Sequence, residues 1–405
     1  MSLISVEDAL RRLLQGTPSF DRTEILHLRD AGDRVLAAPL AARLTQPPFD
    51  NSAMDGYAVR AADVGALGNR LRVIGESSAG RGFAGPVGPG DAVRIFTGAP
   101  LPQGADAVLL QEDASKLDGD MIENRFTLTA GRHVRPRGQD FLEGEEVLPA
   151  GAILDAGNLT VAAAMNHDRV AVHARPLVAI IATGDELVPV GGAPGPHQII
   201  ASSIFGVSHI ARQAGAEILD LGIVADDRRD IHAAIDRARA AKADIIVTLG
   251  GASVGDYDLV QSTMVAAGME LDFWRIAMRP GKPLMVGSLG VARVLGLPGN
   301  PVSSLVCALL FLEPLVAGMA RRPLRHRLTP AFTATDLPAN DHRQDYLRAR
   351  LRRREDGELE AICHGKQDSS QMKIFARSDG LIVRPSHSDA LEAGDRCTVL
   401  ALRDM

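Results

Sequence analysis

Residues 243–305 contain three stretches that decide the fold: ADIIVTLGGASVGDYD (243–258), FWRIAMRPGKPLMVG (273–287) and VLGLPGNPVSSL (294–305). Asp244 to Leu249 is a short apolar run rich in β-branched residues, the pattern of a buried strand in a parallel sheet. It ends in Gly250-Gly251-Ala252-Ser253-Val254-Gly255-Asp256, where small residues let the backbone approach a ligand closely. A helix pattern follows, with Asp258 placed to cap it ahead of Leu259, Met264 and Val265. Two further loops, RPGKP (279–283) and LPGNP (297–301), each lie beside a strand-like run. Open α/β sheets bind ligands beyond the carboxyl ends of their strands, so the three loops can share one rim. An ordinary α/β domain also contains tight turns of this kind. Ser253, Arg275, Arg279 and Lys282 on these loops tilt the reading towards an anion site.

Working outward, residues 176–322 alternate between strand and helix. LVAIIA (177–182) leads through TGDEL (183–187) to a helix over about 203–215, the strand EILDLGIV (217–224) and a helix over 228–241. That is the alternation of a parallel sheet with right-handed crossovers. Residues 45–143 read instead as β, with short apolar runs and many glycines. Their hairpin signal is KLDGDMIE (116–123), turning at Asp118-Gly119. This region opens on QPPFDNSAMDGYAV (46–59), where Pro47 and Pro48 forbid ladder pairing and Asp50, Asn51 and Ser52 form turns. A long polar loop inside a compact chain is more often functional than not. Residues 1–44 with 144–175 form a mixed connecting domain headed by a helix, and 323–405 return to β. The expected fold class is multidomain α/β plus β, with a central parallel-sheet α/β domain, two smaller β-rich domains and the mixed connecting domain.

The 405 residues carry 44 basic and 50 acidic side chains, a net charge of −6, so neither nucleic-acid nor acidic-membrane affinity is expected. The N-terminal MSLISVEDALRRLL reads as an amphipathic helix rather than a signal peptide, because Glu7 and Asp8 interrupt it. Val302 to Gly318 is the longest apolar run, but it contains Glu313-Pro314 and is too short and broken to span a bilayer. Cys307, Cys363 and Cys397 are few and far apart, which suits a reducing compartment and neither a disulfide frame nor a zinc site. The expectation is a soluble cytoplasmic protein.

PPFDNSAMDGYAV, FTGAP (96–100), RGQD (137–140), ATGDEL (182–187), GGASVGDYD (250–258), RPGKP and LPGNPVSS occur in this order. Together they resemble the molybdopterin molybdotransferase family, over essentially the full length. The same domains form the receptor-anchoring part of gephyrin in animals. The resemblance implies an elongated four-domain homodimer, with 176–322 as the molybdopterin-binding domain and the cleft near the subunit interface. It implies an enzyme that takes adenylylated molybdopterin and molybdate, releases AMP and leaves molybdenum on the dithiolene. A molybdopterin adenylyltransferase and molybdoenzyme maturation partners are the implied neighbours.

The resemblance also carries site residues. Asp55, Thr97, Asp140, Glu186, Asp226 and Asp258 match the family's catalytic cleft. Asp55, Glu186, Asp226 and Asp258 are the implied ligands of Mg2+. Gly251, Ser253, Arg275, Arg279, Lys282, Pro298, Asn300, Pro301 and Ser370 are the implied substrate contacts. The chemistry wants both signs of charge: phosphates need basic groups and backbone N–H donors, and a hard divalent cation needs one or two carboxylates. Read singly, Asp226 and Asp258 are helix caps and Asp140 and Glu186 are solvated turn charges. Arg275 and Arg279 stand where many relatives have lysine, and a planar fork is not a point charge. Ala201 and Ser203 stand where many relatives have Asp and Asn. If both arginines clamp phosphate, lysine at either position should weaken binding at unchanged charge. A non-catalytic scaffold or pterin-binding protein on the same fold is the alternative function, and it would not need the acidic set.

Overall fold

The computed structural model describes residues 3–15, 17, 20–251, 259–273 and 275–403. The chain divides into two compact units, residues 25–172 and residues 1–24 with 173–405.

The larger unit is built on a six-stranded sheet. Its spatial order is Glu217–Val224, Leu177–Thr183, Ile245–Leu249, Ala292–Leu297, Met285–Leu289 and Glu270–Phe273. The first four strands run parallel, as the βα alternation predicts. Met285–Leu289 runs antiparallel to both its neighbours, so Glu270–Phe273 points again with the first four; the sequence pattern does not signal this reversal. Leu289 pairs with Ala292, so only Gly290-Val291 joins their strands, and a two-residue link permits nothing but an antiparallel hairpin. The Ile245–Leu249 strand is buried at every position, because helices cover both faces. Val178 and Ile180 enter one core with the helices Ser203–Ala214 and Pro301–Cys307, whereas Ala179 and Ile181 enter another with Arg228–Ala240 and Leu259–Ala266. This is the two-residue alternation of a strand shared between two layers.

Helix Val6–Gln15 buries Val6, Ala9 and Leu13 in the first of these cores. It therefore packs with the α/β domain rather than with the connecting domain to which its sequence position had assigned it. Residues Pro301–Met319 form one 19-residue helix, long and apolar enough to cross a membrane, whose most apolar window is 78% buried inside the fold. Within it Glu313 is buried and accepts Arg327 Nε and Nη2, both at 2.8 Å. The C-terminal segment wraps five strands into a barrel, closed by pairing Gln344–Arg353 with Gly380–Arg384. Met278–Arg279 adds to its edge, parallel to Gln344 and Asp345.

The smaller unit holds a six-stranded sheet ordered Ala107–Leu110, Gly56–Val59, Asp91–Ile95, Arg70–Ser77, Met121–Asn124 and Ala114–Leu117. The last two form the hairpin expected at Asp118-Gly119, closing at Leu117 and Met121. Helix Ala156–Ala164, capped by Asp155 through the Asn158 N–H, packs a separate core with Leu36, Leu154 and Met165.

Candidate functional site

Strand register builds the rim. Thr183 lies opposite Val224, Ala182 opposite Leu249, and Leu249 opposite Leu297. Loops 184–186, 225–227, 250–251 and 298–300 therefore leave the sheet at one level. Met285 pairs with Gly296, which brings RPGKP to the same edge, and Phe273 opposite Val286 does so for Arg275. The three loops singled out from sequence thus share a rim, with two acidic loops beside them.

Close packing explains their small residues. Gly299 lies against Gly250, whose Cα is 3.7 Å from where a Cβ of Gly299 would stand. Gly251 has φ +63°, and a Cβ there would lie 2.1 Å from Val260 Cγ2. Gly281 has φ +113° and presses on Cys307, 2.6 Å from a built Cβ to Sγ. Burial pushes that thiol far above its ordinary pKa, so it stays protonated.

Pro298-Gly299-Asn300 opens the long helix, with Pro301 at its first turn. Ser304 Oγ donates to Pro298 O, and at 3.2 Å to Asn300 O, pinning the turn. Asn300 Nδ2 donates to Ser369 Oγ at 3.2 Å, and the Val302 N–H reaches Ser369 O at 3.3 Å. The barrel loop 366–371 is therefore seated on the helix start. Ser370 does not make that contact: its N–H and Oγ both turn inward to Asp368 Oδ1, at 2.8 and 2.6 Å. Fully buried Arg348 holds the loop from behind, donating to Gln367 Oε1 at 3.1 Å and Asp368 O at 2.8 Å.

The acidic side of the rim is crowded. The Asp226 N–H donates to Asp185 Oδ1 at 3.0 Å. Partial burial, then the neighbouring charges of Asp185 and Glu186, raise the Asp226 pKa above its ordinary value. Glu186 folds back over Gly184, its Oε2 being 2.4 Å from where a Cβ would stand. Among the described residues no three His, Cys, Asp or Glu side chains converge as a ready metal cluster.

Arg279 departs from expectation. Its Nε and Nη2 form a fork on the buried carboxylate of Asp345, at 2.9 and 2.7 Å. That hydrogen bonding, with the Asp345 and Asp341 charges, raises the arginine pKa. The bidentate face expected for phosphate is already occupied by the barrel. Lys282 is exposed on the same turn.

The remaining expected residues belong to the smaller unit or lie outside the described residues. Asp55 Oδ1 accepts the Thr97 N–H at 2.8 Å and Thr97 Oγ1 at 2.7 Å. These two bonds, the backbone one first, hold the Asp55 carboxyl below its ordinary pKa. Asp140 stands on an exposed turn whose N–H donates to Gln46 O at 3.0 Å. Ser253 and Asp258 lie outside the described residues. Sequence reasoning missed Asp185, Asp345, Arg348 and Ser369. Asp185 and Ser369 adjoin named residues, whereas Asp345 and Arg348 needed the barrel register.

Comparison with known proteins covers the same ground. Residues 4–166 match the MoeA N-terminal region (domain I and II), 179–318 a probable molybdopterin binding domain, and 330–402 the MoeA C-terminal region (domain IV). The molybdopterin molybdenumtransferase of Haemophilus influenzae is 33% identical over 98% of both chains. That of Nostoc sp. is 35% identical over 98% of this chain and 94% of the relative. A crystal structure of the molybdopterin biosynthesis MoeA protein from Pyrococcus horikosii superposes with a TM-score of 0.83 at 29% identity, covering 100% of both chains. With full-length matches at this identity, and the rim loops standing where the motifs put them, the chain belongs to the molybdopterin molybdenumtransferase family.

Proposed function

We propose that this chain is a molybdopterin molybdenumtransferase, which uses molybdate and adenylylated molybdopterin to form molybdenum cofactor with release of AMP. The observation that carries the reading is the shared rim, where glycine-rich loops, a helix N-terminus and crowded carboxylates meet at the carboxyl ends of parallel strands. Lys282, with the positive end of the long helix's dipole and the close backbone of the Pro298-Gly299-Asn300 turn, binds the substrate's anionic groups. Ser369 and Arg348 hold the barrel loop that borders them. Asp55, oriented by Thr97, serves as a fixed acceptor.

The acidic loops suit magnesium. A dication relieves the repulsion that Asp185 and Glu186 impose on Asp226, and magnesium keeps most of its water and needs only one or two carboxylates. Asp226 and Glu186, with Asp185, are the residues to hold it, and Asp258 joins them by the family pattern. Asp55, whose Oδ1 already accepts two donors, is reassigned from metal ligand to positioning role. The ion supplies charge neutralisation for the phosphates. The crowded carboxylates disfavour the scaffold reading, since repulsion without a ligand serves no structural purpose. Homodimer formation and a cytoplasmic setting are part of the same proposal; light scattering that gave a monomer at micromolar concentration would remove the dimer.

The test is AMP release from adenylylated molybdopterin by purified protein. Release that needs both molybdate and magnesium supports the reading. Release without molybdate, or none under any condition, contradicts it.

A further inference from the structure

At the opposite edge of the sheet, the amino ends of Ile245–Leu249 and Ala292–Leu297 border a cavity of about 420 Å3, within the usual size range for small-molecule sites. Its strand end lies some 15 Å from the rim, at about 3.3 Å per residue. The floor is apolar: Ile246, Leu289, Ala292 and Met319 are all buried. One wall is Phe20 with the Arg22 guanidinium 4.6 Å above its ring centre.

The charges around it do not cancel. Asp244 is satisfied by Arg22 Nη2 at 2.5 Å and the Leu177 N–H at 2.8 Å. Asp21 is paired with Arg321. Arg239 spends one Nη2 bond on Ala267 O at 2.9 Å. The Lys242 ammonium has no partner among the described residues. Lys242 also has φ +56°, a backbone state that non-glycine side chains seldom adopt.

We propose that this cavity binds a small aromatic or apolar phosphate monoester, its ring on the apolar floor and its phosphate between Lys242 and Arg239. Each half of such a ligand answers one feature. The floor loses water to the ring, and the uncancelled cations take the dianion. Neither inorganic phosphate nor a neutral ring satisfies both. The site shares no lining residue with the rim, so it stands whether or not the transferase reading does.

The test uses phenyl phosphate as probe, with inorganic phosphate and phenol as half-probes, titrated by calorimetry into the full chain. Phenyl phosphate should saturate and bind at least about tenfold more tightly than either half-probe. Lys242→Asn keeps a residue tolerant of the left-handed backbone and should weaken it about threefold. Val291→Glu, at an 80% exposed position on the cavity lining, adds a repelling charge and should weaken it about tenfold. Lys282→Ala at the rim should leave the Lys242-dependent binding in place. Absence of saturable binding overturns the proposal, as does equal affinity for the half-probes. Sensitivity to Lys282→Ala with indifference to Lys242→Asn would assign the binding to the rim and overturn it too.

Discussion

Two acidic regions of this molecule solve opposite problems. In the smaller unit, Asp55 accepts two hydrogen bonds from one residue of its neighbouring turn, and its carboxyl is held below the ordinary range. At the α/β rim, Asp226 stands beside Asp185 and Glu186, and partial desolvation with their charges holds its carboxyl above it. The first anion brings its own donors. Among the described residues the second has no cation paired with it, and each neighbouring carboxylate adds repulsion. On the function proposed above, the carboxylate supplied with donors is the positioning device and the crowded one the seat for a cation.

The strongest way to break this contrast is Asp226→Asn. It should lower molybdate-dependent AMP release on the order of 100-fold, because the proposed cation seat loses a carboxylate. The melting temperature at neutral pH should not fall, since the change removes repulsion. Loss of both activity and stability would mean that Asp226 is structural. Its pH behaviour has a definite sign. The charged form costs stability above the raised folded pKa, and that cost disappears as acid protonates it. Stabilisation by magnesium should therefore fade on acidification while the pH is still above the unfolded value of 3.8.

Arg279 sharpens the contrast from the basic side. Because its fork is spent on buried Asp345, Arg279→Ala should destabilise the fold by about 2 kcal/mol, and Arg279→Lys by about 1 kcal/mol. Both variants should bind molybdopterin within about twofold of wild type. Thermal denaturation with a parallel substrate titration separates the outcomes, and weakened binding at full stability would return Arg279 to the substrate.

Asp55→Asn should retain the turn with weaker acceptors, lowering the melting temperature slightly. Asp55 stabilises the fold while it is ionised. That contribution is complete above 3.8 and is lost only as pH falls through its lowered value. A melting-temperature difference between wild type and Asp55→Asn that already vanished at pH 5 would contradict the Thr97 bonds. The smallest effect belongs to Ser370→Ala, which removes one loop bond to Asp368 and should cost no more than about 1 kcal/mol.

Much of this was legible in the sequence. The β-branched run 245–249 and the glycine loops after it specified a parallel strand and its rim, because burial on both faces leaves a continuous apolar signature. Asp118-Gly119 marked its hairpin because the turn needs a positive φ, which Gly119 supplies at +73°. What escaped reading depends on register. The antiparallel edge follows from a two-residue link at Gly290-Val291 that carries no strong signal. Arg279 meets Asp345 across 66 residues, and Arg348 reaches loop 366–371 only because the barrel closes. Ser369 and Ser370 are chemically identical, and only the loop's turn decides which one meets Asn300.

The most direct test of the contrast is manganese(II) uptake, followed by the EPR signal of the free ion with molybdopterin present. Wild type and Asp55→Asn should bind the ion with equal affinity, whereas Asp226→Asn should bind it at least about tenfold more weakly. An unchanged Asp226→Asn, or an Asp55→Asn as weak as Asp226→Asn, would contradict the division between a donor-filled turn and a cation-seeking rim.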